Sequence, residues 1–174
     1  MNLLVLAYPE LQDNDFRIIQ NHREVHDPFF KIVKPHFTLV FAVTNFSVAD
    51  FTEEIREQIK GVKEITFTIR CAIVYKDVFS DRYHSFLVPD EGFSDLVKLH
   101  DKLYSGKLSG DLRLDIGYIP HIGIGSWMDK FECKKQVEEW NNKEMTIKGS
   151  ITAIEIVSYE NDIVTPVERI KLIC

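Results

Sequence analysis

Cysteine, long hydrophobic runs and an excess of positive charge are all scarce or absent in this sequence of 174 residues. The three cysteines, Cys71, Cys133 and Cys174, lie far apart and form no C-x-x-C pair, which argues against a disulfide framework and against a zinc ribbon. No apolar segment approaches the length of a membrane span, and the first residues lack the basic leader and the apolar run of a signal peptide. We therefore expect a cytoplasmic protein with reduced thiols that does not bind a membrane.

Positive charge is in deficit, with a formal net charge of −6 at pH 7 and an isoelectric point of about 5.5. A protein that binds long nucleic acid mainly by neutralising its phosphates would carry the opposite balance, so we expect no basic surface of that kind. A small nucleotide or an RNA end held in a local pocket is compatible with this charge. The hydrophobic fraction of 45% and the charged fraction of 28% are those of a folded globular protein.

The sequence does contain an internal repeat in the order of its predicted strands and helices. The spacing of apolar residues predicts the order strand, helix, strand, helix, strand over roughly residues 1–79, and the same order returns over 80–174 with one further strand. Strands that alternate with helices place the chain in the α/β or α+β class. Because no low-complexity linker separates the halves, we expect residues 1–174 to form a single two-lobed domain, with strands exchanged between the lobes.

Proline and glycine set several of the expected boundaries. The predicted strand YHSFLVPD is expected to end at Pro89, and the long strand predicted over 144–160 is expected to be broken or bulged near Gly149. Residues 105–120, which are rich in glycine, serine and charge, are expected to form a loop.

Two predicted strands each open with a proline followed by a histidine, in KPHFTLVF and in IPHIGIGSW. Side chains alternate along a strand, so His36 and Thr38 share one face while the apolar residues beside them share the other. In the second strand His121 is followed at the matching position by Gly123. The histidines stand 85 residues apart, about half the chain, so two lobes related by duplication would bring both to one shared cleft.

A pair of histidines is suited to acid/base catalysis, because the unperturbed pKa of the side chain is about 6.5. One imidazole takes a proton from a nucleophile while the other gives a proton to the leaving group, which suits phosphoryl transfer. Thr38 is then expected to donate its hydroxyl to a phosphate oxygen. Gly123 has no side chain, so a backbone N–H there or the hydroxyl of Ser126 is expected to take the equivalent place.

A zinc site is the rival use of two histidines. Neither strand offers H-x-H, H-E-x-x-H or a carboxylate at ligand spacing. We therefore expect a mechanism that relies on side chains alone, with no metal and no cofactor.

Other residues are candidates for contacts with the rest of a nucleotide. Tyr8 and Tyr159, at predicted strand ends, are candidates for stacking on a base, with packing in the fold as the alternative. Lys34 is a candidate for attracting a phosphate, with simple solvation as the alternative. His84 receives no role. The remaining histidines have no matched partner and are expected at the surface or at helix caps: His22, His26 and His100.

The tetrapeptides HFTL and HIGI, which begin at His36 and His121, resemble the paired H-x-[ST]-x motifs of the two-histidine phosphoesterase superfamily. Within it the chain is similar to the group of 2′-5′ RNA ligases and cyclic nucleotide phosphodiesterases. The resemblance implies a bilobal, duplicated α+β fold, with two antiparallel sheets that face a central cleft and helices on the outside.

The resemblance also implies a chemistry: the opening of a 2′,3′-cyclic phosphate, or action on a 2′-5′ phosphodiester, at an RNA end or in a small nucleotide. It assigns acid/base roles to His36 and His121 and phosphate binding to Thr38. Gly123 departs from the motif. Two alternatives therefore stay open: a nucleotide-binding module that has lost efficient catalysis, and a protein-interaction domain without a ligand.

Overall fold

Two antiparallel sheets form the framework of the chain, whose computed structural model describes residues 1–174. The strands are β1 (Asn2–Ala7), β2 (Glu10–Leu11), β3 (Phe37–Val43), β4 (Ile65–Lys76), β5 (Tyr83–Glu91), β6 (Ile122–Trp127), β7 (Ile147–Ile151), β8 (Ala153–Glu160) and β9 (Ile163–Lys171). The helices are α1 (Asp13–His26), α2 (Val48–Gln58), α3 (Phe93–Leu103) and α4 (Lys130–Asn141), with a short 3₁₀ helix at Gly106–Asp111. The expected α+β fold class is confirmed.

The two sheets are built in the same way. Their strand orders are β3-β1-β8-β9 and β2-β7-β4-β5-β6. If the short β2 is left aside, the second order read from its other end is β6-β5-β4-β7, so each position in one sheet has an equivalent in the other. Strand β4 of the first half pairs with β5, and β8 of the second half pairs with β1. Each sheet therefore contains strands from both halves, and β3 and β6 occupy equivalent edges.

The apolar faces of β3 and β6 fix the direction of the opposite faces. Phe37 and Leu39 of β3 and Ile122 and Ile124 of β6 are completely buried in a hydrophobic core of 30 residues that spans both sheets. A shift of one residue in either strand would expose these side chains to solvent, so burial holds the register. The polar faces beside His36 and His121 are thereby held away from the core. None of the four α-helices is both long enough and apolar enough to cross a membrane.

The long strand expected over 144–160 is two strands, so the break expected near Gly149 is confirmed. The break lies at Thr152, between β7 and β8, which belong to different sheets. Gly149 instead lies within β7, opposite Phe67. A Cβ at this position would come within 2.5 Å of the Phe67 ring, so the glycine permits close packing.

Two other expectations from the sequence are wrong, the end of β5 and the loop over 105–120. Strand β5 continues through Pro89 to Glu91. Pro89 lies opposite Ile69, where the register of β4 with β5 is irregular, and a proline is tolerated there because its lack of an N–H breaks no regular hydrogen bond of the sheet. The expected loop over 105–120 contains the 3₁₀ helix, whose Leu108 is buried in the core.

Gly92, which joins β5 to α3, is the position where the fold most clearly requires glycine. Its φ is +81°, and an added Cβ would lie 2.4 Å from the carbonyl oxygen of Thr66 and 2.9 Å from Cβ of Phe67. We expect Gly92→Ala to lower the free energy of unfolding by about 2–4 kcal/mol, measured by urea denaturation. The matched control is Gly110→Ala, since an added Cβ there meets nothing within 4 Å. Equal stability of the two variants would contradict this account of Gly92.

Candidate active site

Residues from both sheets line one cleft of about 530 Å³. This volume is typical of sites that bind small molecules. Six of the residues singled out in the sequence line the cleft: His36, Thr38, His121, Gly123, Ser126 and Tyr159. Two do not, Tyr8 and Lys34. The structure therefore brings the two repeated motifs together and leaves two of the proposed nucleotide contacts outside the cleft wall.

The two histidine side chains are held in the same way. Each directly precedes its strand, and each donates its Nδ1 hydrogen to the carbonyl oxygen two residues earlier, at 2.7 Å from His36 to Lys34 and at 2.6 Å from His121 to Ile119. A carbonyl oxygen can only accept, so Nδ1 carries the proton in both rings and Nε2 is left with its lone pair. The residue between each pair is a proline, which restricts the residue before it to extended conformations. The X-Pro-His sequence thus accounts for the shared tautomer.

The environment of the cleft disfavours the charged form of both histidines. Burial, with smaller effects from His36 and His84, lowers the pKa of His121 to about 4, against the opposing effect of the hydrogen bond to Ile119. Burial also lowers the pKa of His36, which the bond to Lys34 opposes. The effect of His36 on the pKa of His121 is that of a second imidazole in the same cleft. A bound anion would act in the opposite direction and raise both pKa values.

The ring of His121 is fixed by a stack of aromatic side chains from the neighbouring sheet strands. Its centroid lies 3.5 Å from that of Phe86, with the planes only 14° apart. Phe86 in turn faces His84 at 5.8 Å and Tyr75 at 4.9 Å. Neither Phe86 nor His84 received a role from the sequence, although their spacing of two along a strand does place them on one face.

His36 has a different aromatic neighbour. Tyr8 packs edge-on against it, with the ring centroids 6.1 Å apart. Burial raises the pKa of Tyr8 to about 12. Lys34 is exposed and contributes its carbonyl oxygen to the His36 ring. Both residues thus contact or support a histidine of the cleft.

Thr38 lies one pleat beyond His36 and is supported from the second half of the chain. The hydroxyl of Tyr118 donates to the carbonyl oxygen of Thr38 at 3.1 Å. The ring of Tyr118 stacks on His100 with centroids 3.6 Å apart, and Nδ1 of His100 donates to the carbonyl oxygen of Leu39 at 2.8 Å. His100 was expected at the surface or at a helix cap, and this expectation is wrong, because the side chain is buried behind β3.

A bulge in β6 determines where Ser126 points. In the pairing of β5 with β6, Gly123 lies opposite Phe86 and Gly125 lies opposite Ser85, so β6 carries one extra residue, Ile124. Regular alternation would have placed Ser126 on the core side with Ile124. The bulge returns Ser126 to the cleft, where it lies opposite His84.

The walls of the cleft are largely apolar, and some of its aromatic residues are exposed. The rings of Phe29 and Phe79 are exposed by 47% and 65%, and the guanidinium of Arg113 lies 4.9 Å from the ring centroid of Phe79. Nothing in the sequence distinguished these residues, since each lies in a loop without a motif. No group of three or more histidine, cysteine, aspartate or glutamate side chains is arranged so that it could hold a metal ion.

Comparison with protein families gives one match: residues 9–163 fit the model of the 2′-5′ RNA ligase superfamily. Comparison with curated protein sequences gives no match.

Solved structures with the same fold cover nearly the whole chain. LigT of E. coli, in complex with 3′-AMP, is 16% identical with a TM-score of 0.57, over 99% of this chain and 98% of that one. TT0787 of Thermus thermophilus is 12% identical with a TM-score of 0.61, again over 99% and 98%. Usb1 of Kluyveromyces marxianus is 9% identical with a TM-score of 0.55, over 95% of this chain and 96% of that one. At these identities the likeness concerns the fold.

Proposed function

The chain belongs to the 2′-5′ RNA ligase superfamily, and from this premise we propose that it is a metal-independent phosphoesterase that uses His36 and His121 as an acid/base pair. Its substrate is a 2′,3′-cyclic phosphate, or a 2′-5′ phosphodiester, at an RNA end or in a small nucleotide. The three cysteines are unpaired, which supports a cytoplasmic location.

One observation carries the proposal: both histidines line the same cleft in the same tautomer. Each has Nδ1 bound to a backbone carbonyl, which leaves Nε2 as the atom that exchanges protons. Two such nitrogens in one cleft are what a reaction needs when one oxygen attacks phosphorus and another departs.

The proposed reaction then follows in balanced steps. Nε2 of one neutral histidine takes a proton from water, and the water oxygen forms a bond to phosphorus. The bond from phosphorus to one ribose oxygen breaks, and the other histidine, in its protonated form, gives its proton to that oxygen. The residues take opposite roles in the reverse direction, in which the phosphomonoester loses water and closes to the cyclic phosphate. Ligation differs in its nucleophile, because a ribose hydroxyl takes the place of water and forms the new bond to phosphorus.

The low pKa values of the free protein fit this scheme once the substrate is bound. The general base must be uncharged, and burial keeps His121 in that state by lowering its pKa to about 4. The general acid must be protonated, and the negative charge of a bound phosphate raises the pKa of the histidine nearest to it. Binding of the anion is therefore expected to be accompanied by proton uptake.

In this proposal Thr38 binds the phosphate of a nucleotide, and the apolar walls of the cleft contact its base. Thr38 lies on the cleft face one pleat beyond His36, which supports a role for its hydroxyl as a donor to a phosphate oxygen. Phe29 and Phe79 offer exposed aromatic surface on which a base can stack. LigT, a protein of the same fold, has been crystallised with 3′-AMP.

The test is one assay with adenosine 2′,3′-cyclic phosphate, in which calorimetry measures binding and chromatography measures product. We expect heat of binding and formation of adenosine monophosphate, both unchanged by EDTA. Loss of turnover in EDTA would contradict metal independence.

The alternative function is that of a binding module, and the observation that favours it is Gly123, where the motif lacks its hydroxyl. The same assay separates the two functions. Binding without product would favour the module, and neither binding nor product would overturn both.

A further inference from the structure

The half of the cleft that contains His121 lacks a side chain at Gly123, yet it contains a serine and an arginine that no motif includes. We propose that Ser126, positioned by Arg82, binds the phosphate oxygen that a hydroxyl at residue 123 would otherwise bind. The inference rests on the proposed function of the cleft as a phosphate site. It deepens that function by choosing the Ser126 hydroxyl over the backbone N–H of Gly123 as the donor, and by naming Arg82 as the residue that positions it.

The first step of the argument is that the space beside His121 is open. A Cβ built on Gly123 meets no other atom within 4 Å, although the residue lies on the wall of the cleft. Close packing therefore does not explain this glycine. An anion held by Thr38 on one side would have no hydroxyl from residue 123 on the other.

The second step is that the bulge brings another hydroxyl to this side. Ser126 reaches the cleft wall only because Ile124 is the extra residue of β6. Bulges are common next to active sites, where they redirect a side chain. In this chain the redirected side chain is a hydrogen-bond donor.

The third step concerns the direction of the Ser126 hydroxyl hydrogen. Nε of Arg82 donates to Oγ of Ser126 at 2.7 Å, and Nη2 of Arg82 donates to the carbonyl oxygen of the same serine at 3.0 Å. A guanidinium has no acceptor, so the hydroxyl hydrogen of Ser126 must point to another group. The structure gives it no protein acceptor, which leaves it free to donate to a ligand in the cleft.

The fourth step is that Arg82 is a cation without a carboxylate partner. Five other arginines form ion pairs with aspartate or glutamate: Arg23, Arg56, Arg70, Arg113 and Arg169. Arg82 forms none, and its guanidinium is used to hold Ser126. An adjacent positive charge strengthens donation by the hydroxyl and attracts an anion. Arg82 does not line the cleft, so it acts as a positioning residue through Ser126.

The experiment measures the affinity for inorganic phosphate by calorimetry and, in parallel, kcat/KM for adenosine 2′,3′-cyclic phosphate. We expect Ser126→Ala to weaken phosphate affinity by about 10- to 100-fold. Arg82→Met should weaken it as well, but should add little in the Ser126→Ala background, because Arg82 acts through the serine. Gly123→Thr, for which the cleft has room, should restore affinity to Ser126→Ala, and Gly123→Ser serves if the threonine variant folds poorly.

Restored phosphate affinity in the Ser126→Ala, Gly123→Thr double variant distinguishes phosphate binding by Ser126 from a merely structural role. A hydroxyl at residue 123 cannot repair a general loss of folding. The inference is overturned if the wild-type protein does not bind phosphate, if Ser126→Ala binds it normally, or if Arg82→Met has its full effect without Ser126. Phosphate binding that depends on Ser126, with no turnover of the cyclic nucleotide, would overturn the proposed function and leave this inference standing.

Discussion

Replacing either cleft histidine by alanine is expected to remove nearly all turnover of a 2′,3′-cyclic nucleotide. His36→Ala and His121→Ala should each lower kcat by about 10²- to 10⁴-fold, the range that a positioned acid or base contributes. The double variant should be little worse than either single variant, because proton removal and proton donation belong to one transition state. KM should change much less than kcat.

The matched control is His26→Gln, since His26 lies on α1 and does not line the cleft. Its activity should stay within about twofold of the wild type. The pH dependence of the residual activity adds information, because each alanine variant should lose one limb of a bell-shaped profile. The limb that is lost identifies the base or the acid. Full activity in either alanine variant would show that the pair does not do the chemistry.

The second large effect concerns stability in acid. Burial lowers the pKa of His121 to about 4, and burial together with His26 and Lys143 lowers the pKa of His22 to about 4. Above pH 6.5 neither the folded nor the unfolded chain protonates these rings, so they leave stability unchanged. Below pH 6.5 the unfolded chain binds protons that the folded chain cannot, and the free energy of unfolding falls until pH 4. His121 alone accounts for a loss of about 3 kcal/mol.

The measurement is urea denaturation at several pH values between 7 and 4.5. Between pH 6 and 4.5 each of the two histidines should contribute a slope of about 1.4 kcal/mol per pH unit. His121→Phe and His22→Phe should each reduce the wild-type slope by that amount, whereas carboxylates titrate equally in all three proteins. A slope unchanged in both variants would mean that neither ring is held neutral by the fold.

The sequence was informative where local pattern and tertiary structure agree. The strands that follow His36 and His121 were predicted because proline, histidine and alternating apolar residues recur in both. Their apolar faces enter the core as alternation requires. The glycine predicted a break near residue 149, but the position of the break at Thr152 was not predictable from local pattern, because β7 and β8 separate where they begin to pair in different sheets.

The candidate site was likewise predictable from the sequence only in part. The paired motifs predicted that His36 and His121 share a cleft, and the structure places both on its wall. Arg82 and Phe86 were missed because they reach β6 through cross-strand pairing with residues about 40 positions later in the chain. Two glycines this close together in a strand are typical of either a bulge or a close approach, and only the register of β5 with β6 shows the bulge beside Gly123 and Gly125.

A structure determined with inorganic phosphate bound tests most directly whether two histidines from equivalent halves converge on one anion. The expected result is a single phosphate in the cleft, with Nε2 of His36 and Nε2 of His121 each within about 3 Å of its oxygens and on different sides of it. A phosphate that contacts only one of the two imidazoles, or that binds outside the cleft, would contradict the account.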